Sequence, residues 1–200
     1  ADTPARKSRF KASLQRLEAS GVFPIIDGAV RAKKDYLAGT DEARVEALIS
    51  AFSSDSPVVW AARGGYGGMR ILSALERVLP EQKQTKMFLG FSDLTALFPL
   101  LHRRGVRCVH GPVVTQVGSL VKEGDAGYRA LLRVLRNQSS SSTISFRGFV
   151  PDGVEAVEGP LVGGNLTLCA ALAGTRFAPD YEGALLFIED VGEPAAKSPA

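Results

Sequence analysis

The stretch that decides the fold is residues 86–110, which read KMFLGF (86–91), SDLTALFPLLHRRG (92–105) and VRCVH (106–110). The first and last segments are short apolar runs typical of strands, and the segment between them has the apolar spacing of a helix. The earlier run PVVWAA (57–62) is almost wholly apolar, which is typical of a strand covered on both faces. Strands that alternate with helices predict an α/β fold, with a mainly parallel sheet and flanking helices.

Similar patterns lie on the N-terminal side of this stretch. Residues 4–20 have apolar side chains at helical spacing and end before a glycine, so they predict a helix. The run VFPII (22–26) predicts a short strand. Thr40 is followed by Asp41 and Glu42, which is typical of a helix N-cap and an acidic first turn. A further helix is predicted to end at Pro80.

The C-terminal part begins with the polar run QSSSS (138–142), which is typical of a linker. The segments TISFRGF (143–149) and VEAVEG (154–159) alternate polar and apolar residues, and so predict antiparallel β structure. We therefore expect an α/β domain over residues 1–137, which includes Ser92. Residues 138–200 would form a linker and the truncated start of a second, partly antiparallel β-containing domain.

Two further segments complete the chain. GGNLTLCAALAGT (163–175) predicts a glycine turn followed by a helix of small residues, and ALLFIED (184–190) predicts a last strand. This strand ends in Glu189 and Asp190, and an acid at the end of a buried strand needs partners. Either Glu189 orients a catalytic base or Asp190 caps the next turn of the chain, and the local pattern favours the cap.

Composition excludes several classes of function. The chain has 24 basic and 21 acidic residues, an excess too small and too dispersed for a nucleic-acid surface. Cys108 and Cys169 lie in apolar runs and predict buried side chains rather than a disulfide. No cluster has metal-ligand spacing, so we expect no metal and no cofactor. No apolar run reaches the roughly 18 residues of a membrane span, so we expect no membrane partner.

Ser92 stands where a predicted strand runs straight into a predicted helix, in GFSDLT (90–95). This is the pattern of a nucleophile elbow, in which a sharp turn lifts the serine hydroxyl clear of the sheet. Gly90 leaves room for that turn, although Leu94 occupies the place where a second glycine is usual. The alternative is that Ser92 is only a helix N-cap, and this segment alone favours that alternative.

The glycine-rich turn ARGGYGG (62–68) also follows a strand, at the sheet edge where parallel sheets bind ligands. It has neither the spacing of a dinucleotide fingerprint nor the ending of a P-loop. Main-chain N–H groups of Gly64 and Gly65 could form part of an oxyanion hole or bind a substrate carboxylate. Arg63 could help to place a substrate, although a structural salt bridge is the stronger alternative. A plain turn between strand and helix is equally compatible with the pattern.

The chain has two histidines. His102 lies ten residues along the helix from Ser92, roughly 15 Å away at the helical rise, which is too far to accept its proton. His110 ends the next strand, and a right-handed crossover would bring it to the same sheet edge as Ser92. It is the candidate base within this chain, with a hydrogen-bonded turn histidine as the favoured alternative.

Six segments in this order resemble the LD-carboxypeptidase family of serine peptidases, whose best-known members remove the terminal D-alanine from murein tetrapeptides. A related branch gives immunity to microcin-type peptide-nucleotide antibiotics. The resemblance covers residues 35–193 and extends more faintly from residue 5. It is carried by YLAGTDEARVEAL, ARGGYGGMRIL, FLGFSDLTAL, HGP, GPLVGGNLTLCAALAGT and LLFIEDVGEP.

The resemblance implies a Ser-His-Glu triad with Ser92 as the nucleophile and Glu189 as the acid. It also implies an oxyanion hole formed by the backbone N–H of Asp93 and that of Gly64 or Gly65. The family's histidine lies in a downstream segment that has no counterpart here, and the family's first strand is also missing. The resemblance therefore argues against His110 as the base, and we expect this chain to be inactive alone.

The implied function is a cytoplasmic serine carboxypeptidase of murein recycling that cleaves an L-to-D peptide bond and is a homodimer in its full-length form. Its partner would be a small peptide substrate, with no nucleic acid. Cleavage of a peptidyl-nucleotide antibiotic and a non-catalytic peptide-binding remnant are the alternatives.

Overall fold

The computed structural model describes residues 4–82, 86–120, 126–136, 152–153 and 156–191. Helices and strands alternate over residues 41–120, as predicted. The helices are α1 (Pro4–Ala19), α2 (Asp41–Ser53), α3 (Gly68–Val78), α4 (Phe98–Arg103), α5 (Val114–Leu120), α6 (Ala126–Leu135) and α7 (Leu166–Leu172), and the strands are β1 (Val58–Trp60), β2 (Met87–Gly90), β3 (Arg107–His110), β4 (Leu161–Asn165) and β5 (Leu185–Glu189). Residues Gly28–Arg31 and Ser92–Leu97 form 3₁₀ helices.

Strands β1, β2 and β3 form a parallel sheet in that order, so β2 is the central strand. Leu89 of β2 pairs with Trp60 on one side and Val109 on the other. Gly90, the last residue of β2, pairs with His110, the last residue of β3. The α/β fold with a parallel sheet is therefore confirmed, and β2 and β3 end at the same edge.

Helices cover both faces of this sheet. Successive residues of a strand point to opposite faces, and Phe88 and Leu89 accordingly enter two different clusters. Phe88 packs with buried side chains of α2, α3 and α4, whereas Leu89 packs with those of α1, α5 and α6. Both side chains are 1% exposed, which explains why the strand is apolar throughout.

Two predicted elements differ in the structure. The VFPII segment (22–26) forms no strand, and Phe23 and Ile25 are 77% and 86% exposed. Its composition favours a strand, but no described strand pairs with it, so the segment does not become one. The helix predicted over 92–105 is divided into the 3₁₀ helix Ser92–Leu97 and α4. Pro99 lies in the first turn of α4, where its missing N–H interrupts no helical hydrogen bond.

The C-terminal part differs in its β structure. Gly163 and Gly164 do not form the predicted turn but lie inside β4, which pairs with β5 in parallel. Their φ angles of 135° and 140° lie in a region that suits glycine alone. Two adjacent glycines are typical of a turn, which is why the sequence predicts one here. The strand predicted over 184–190 is confirmed as β5. Segment 143–149 lies outside the described residues, and residues 156–159 form no strand.

Candidate active site

Ser92 occupies the turn between β2 and the 3₁₀ helix that it begins. Its φ is 60°, a left-handed conformation that is uncommon for a residue with a side chain, whereas Phe91 before it is extended. Such a conformation costs about 1 kcal/mol or more and persists only where the surrounding structure imposes it. The strand-to-helix turn with a left-handed backbone is the geometry predicted for a nucleophile elbow.

The glycine turn lies directly against Ser92. A Cβ added to Gly64 would be 3.3 Å from the Cβ of Ser92 and 3.7 Å from its Oγ. The turn and Ser92 therefore share one sheet edge, as predicted. Gly65 follows with a φ of 146°, and the exposed Arg63 forms no ion pair among the residues that the structure describes.

The side chain of Asp93 fixes the glycine turn. Its Oδ2 accepts a hydrogen bond of 2.8 Å from the N–H of Gly68, the first residue of α3. Gly67 is the N-cap of α3 and has no side chain to do this. Burial raises the pKa of the Asp93 carboxyl, and the backbone N–H groups of Gly68 and Gly67 oppose that effect. The sequence pattern pointed only to the backbone N–H of Asp93, so this side-chain contact was missed.

A second side chain, that of Arg44, also contacts the glycine turn. The guanidinium of Arg44 donates from Nη1 to the carbonyl of Gly67 at 2.9 Å, and its Nη2 contacts Asp41 in the first turn of α2 at 2.5 Å. Arg70 of α3 also reaches Asp41, at 3.0 Å. These contacts connect the beginning of α2, the beginning of α3 and the glycine turn beside Ser92.

Replacing Asp93 with alanine is expected to lower the free energy of unfolding by about 1–2 kcal/mol, because α3 would lose its N-terminal acceptor. Asp93→Asn keeps an acceptor oxygen and should lose less. Burial raises the folded-state pKa of Asp93 above 3.8, so the pH-dependent part of its contribution to stability is full below that pH and is lost as pH rises through the folded-state pKa, whereas the hydrogen bond from Gly68 remains. Urea unfolding at several pH values checks this; equal losses for both variants would contradict it.

β4 is attached to the 3₁₀ helix of Ser92 through Thr95. The hydroxyl oxygen of Thr95 accepts from the backbone N–H of Asn165 at 3.1 Å, inside the protein. A Cβ on Gly164 would be 2.6 Å from that oxygen, so only glycine permits this close approach. Asn165 then caps α7 by accepting from Leu168 N–H at 3.3 Å. Thr95 and Asn165 were missed as site-forming residues, although both lie in motifs that carry the family resemblance.

Glu189 reaches the same region through β5. It pairs with Asn165 across the β4–β5 ladder, and its Oε1 lies 3.4 Å from Nε2 of His110. Burial lowers the pKa of His110, and attraction to the Glu189 carboxylate opposes this effect. Asp190 accepts from Val191 N–H at 2.7 Å and from the Asn165 amide at 3.4 Å. Sequence analysis foresaw that His110 would lie near the Ser92 edge but did not foresee its contact with Glu189.

Phenylalanine rings surround His110 on several sides. The ring centroids of Phe91, Phe98 and Phe187 lie 6.1, 6.2 and 5.0 Å from that of His110, each at a steep interplanar angle. A shallow pocket of about 210 Å³ opens beside the imidazole and is lined by Phe91, His110, Gly111, Pro112 and Gln116.

Further predictions concern His102, the two cysteines, and the binding of a metal or a membrane. His102 lies exposed on α4. Within the described ranges, acidic, cysteine and histidine side chains form no group that could hold a metal ion. Helices long and apolar enough to cross a membrane are also absent from those ranges. Burial raises the pKa of the Cys108 thiol to about 12 and also raises that of Cys169, consistent with unreactive interior cysteines.

Comparison with known proteins places these features in a family. Residues 1–111 match the LD-carboxypeptidase N-terminal domain, and residues 158–199 match the LD-carboxypeptidase C-terminal domain. The murein tetrapeptide carboxypeptidase of Pseudomonas aeruginosa is 37% identical over 92% of this chain, which spans 62% of that protein.

Solved structures show the same relationship. A muramoyltetrapeptide carboxypeptidase from Oxalobacter formigenes matches with a TM-score of 0.64 and 28% identity, over 93% of this chain and 61% of its own. The MccF protein in complex with glutamyl sulfamoyl guanosine matches with a TM-score of 0.73 and 19% identity, over 94% of this chain and 64% of its own, which shows a common fold. By its family matches and its identity to the Pseudomonas protein, this chain belongs to the LD-carboxypeptidase family.

Proposed function

We propose that this chain carries the nucleophile and the acid of a serine carboxypeptidase that removes the terminal D-alanine from murein tetrapeptides. The observation that carries the proposal is the left-handed backbone of Ser92, with Gly64 packed directly against it. Backbone strain of this kind is concentrated at functional sites. The 37% identity to a murein tetrapeptide carboxypeptidase supports the substrate class.

In the proposed mechanism, the Ser92 hydroxyl attacks the carbonyl of the L-to-D peptide bond while an imidazole accepts its proton. Glu189 orients that imidazole. The backbone N–H of Asp93 and that of Gly64 or Gly65 stabilise the oxyanion, because each belongs to a turn at the same edge. The C–N bond then breaks, D-alanine leaves with the proton, and water hydrolyses the resulting ester.

The base in this proposal comes from outside these 200 residues. His102 is exposed on α4, and the Nε2 of His110 faces Glu189 rather than standing free. The chain spans about three fifths of the curated relative's length, which leaves room there for a base-bearing segment. His110 therefore remains a disfavoured base, and Arg63 is proposed only as a residue that helps to place the substrate carboxylate.

A peptidyl-nucleotide substrate is the second candidate. MccF has been solved with aspartyl sulfamoyl adenosine, and this chain has its fold. The identity to MccF is 24%, against 37% to the murein enzyme, which favours the tetrapeptide. A peptide-binding remnant without catalysis is the third candidate. The cytoplasmic location, the role in murein recycling, the homodimer and the division at residue 137 are proposals that rest on the family resemblance.

Product release from two substrates tests this proposal. The 200-residue chain and a longer form that includes the rest of the C-terminal domain would each receive a murein tetrapeptide and aspartyl sulfamoyl adenosine. We expect D-alanine release by the longer form only, with little hydrolysis of the adenosine compound. Preference for the adenosine compound would favour the second candidate, and no hydrolysis of either by the longer form would favour a binding protein.

Gly64→Ala is expected to reduce D-alanine release by the longer form on the order of 10²-fold, because the new methyl group would lie 3.3 Å from the Cβ of Ser92, which must shift and displace its hydroxyl. Gly64 does not have a positive φ, so alanine fits its backbone and the fold should be retained. Gly28→Ala is the matched control, since nothing lies within 4 Å of its added Cβ. Undiminished turnover by Gly64→Ala would show that this glycine does not border the reacting atoms.

A further inference from the structure

The contact between His110 and Glu189 joins two polar atoms that have lost access to water. Nε2 of His110 and Oε1 of Glu189 are 3.4 Å apart, and within the described residues both atoms are buried and neither makes a hydrogen bond of good geometry. A buried polar atom without a partner is costly, so each of these two atoms depends on the other. The position of the imidazole proton decides whether their contact attracts or repels.

A carboxylate only accepts hydrogen bonds, whereas a neutral imidazole donates from one nitrogen and accepts at the other. If the proton were on Nδ1, two lone pairs would face each other in a site shielded from water. With the proton on Nε2, the same contact places an N–H donor beside an anion, which makes it attractive. The buried arrangement therefore requires the Nε2-protonated form of His110.

The surroundings hold the imidazole in this orientation. Phe91 precedes Ser92, Phe98 begins α4, and Phe187 lies two residues before Glu189 on β5. The imidazole therefore lies between the end of β3 and the end of β5. The three phenylalanine rings surround it and limit its movement.

We infer that His110 is a positioning residue, whose Nε2–H fixes the carboxylate of Glu189 at the sheet edge beside Ser92. An Nε2 that donates to Glu189 cannot accept the serine proton, so His110 orients the acid rather than serving as the base at that atom. The catalytic consequence rests on the proposed role of Glu189, whereas the contact and its tautomer do not. Within the described residues, the thiol of Cys169 on α7 also interacts with Glu189, and its pKa is raised, so it is neutral near pH 7.

Nitrogen NMR of the 200-residue chain tests the tautomer without any turnover. The chain has two histidines, and the exposed His102 provides an internal reference. We expect the ¹⁵N shifts of His110 near pH 7 to show a proton on Nε2. Glu189→Gln is expected to lower the titration midpoint of His110 by roughly one pH unit and to leave that of His102 unchanged, because an attracting charge is removed. A proton on Nδ1, or a midpoint insensitive to Glu189→Gln, would overturn the inference.

Two substitutions in the longer form test the positioning role. His110→Gln keeps a side-chain N–H, whereas His110→Phe fills the space among the phenylalanines without a donor. We expect His110→Phe to lower kcat on the order of 10²-fold with little change in KM, and His110→Gln to retain most of kcat. Equal loss in both variants would contradict positioning by the N–H. If the NMR result holds and every form is inactive, the proposed function fails while the contact stands.

Discussion

Replacing Ser92 with alanine is expected to lower D-alanine release from a murein tetrapeptide by about 10⁴-fold or more in the longer form of the protein. The reaction needs an oxygen nucleophile that alanine does not provide, and the oxyanion donors alone leave only a small residual rate. The measurement is kcat/KM for D-alanine release. Ser53→Ala is the matched control, because Ser53 is an exposed serine at the end of α2.

Stability separates loss of chemistry from loss of fold in this experiment. Ser92 has a φ of 60°, which glycine adopts without strain. Ser92→Gly is therefore expected to be inactive and yet about 1 kcal/mol more stable than the wild type, with Ser92→Ala close to wild-type stability. Substantial turnover by either variant would show that Ser92 is not the nucleophile.

Gly163→Ala is expected to lower the free energy of unfolding by about 3 kcal/mol or more. Gly163 lies in β4 with a φ of 135°, and an added Cβ would overlap the carbonyl oxygen of Phe187 on β5. The methyl group can be accommodated only if the two strands separate. Because β5 carries Glu189, the substitution should also displace the proposed acid.

Two glycines provide controls for this substitution, measured together with it by urea unfolding. Gly174 has a φ of 73° with nothing within 4 Å of its added Cβ, so alanine there costs only the left-handed backbone, about 1–2 kcal/mol. Gly28 has open space and no positive φ, so alanine there should be nearly neutral. A loss at Gly163 no greater than that at Gly174 would contradict the close packing of β4 against β5.

The parallel sheet could be predicted because its signal is local. Strands β1 and β2 are apolar throughout, as burial on both faces requires, and the helix between them, α3, has apolar side chains at helical spacing. The position of Ser92 could be predicted for the same reason, since a strand that runs directly into a helix leaves only a sharp turn between them.

Features that depend on distant partners could not be predicted. VFPII (22–26) has the composition of a strand, but pairing decides whether such a segment becomes one. Gly163 and Gly164 were interpreted as a turn because two glycines usually form one, whereas here they allow β4 to approach Phe187 and Thr95. The contact of His110 with Glu189 joins residues 79 positions apart (189 − 110). No local pattern records such a pairing.

Covalent labelling tests the central claim, that Ser92 is the nucleophile, most directly. The longer form would be treated with a fluorophosphonate, which modifies activated serine hydroxyls, and the modified residue would be located by mass spectrometry of its peptides. We predict that label is incorporated at Ser92 in proportion to the loss of D-alanine release, and that murein tetrapeptide protects against it. Complete inactivation with Ser92 unlabelled, or full activity after Ser92 is labelled, would contradict the assignment.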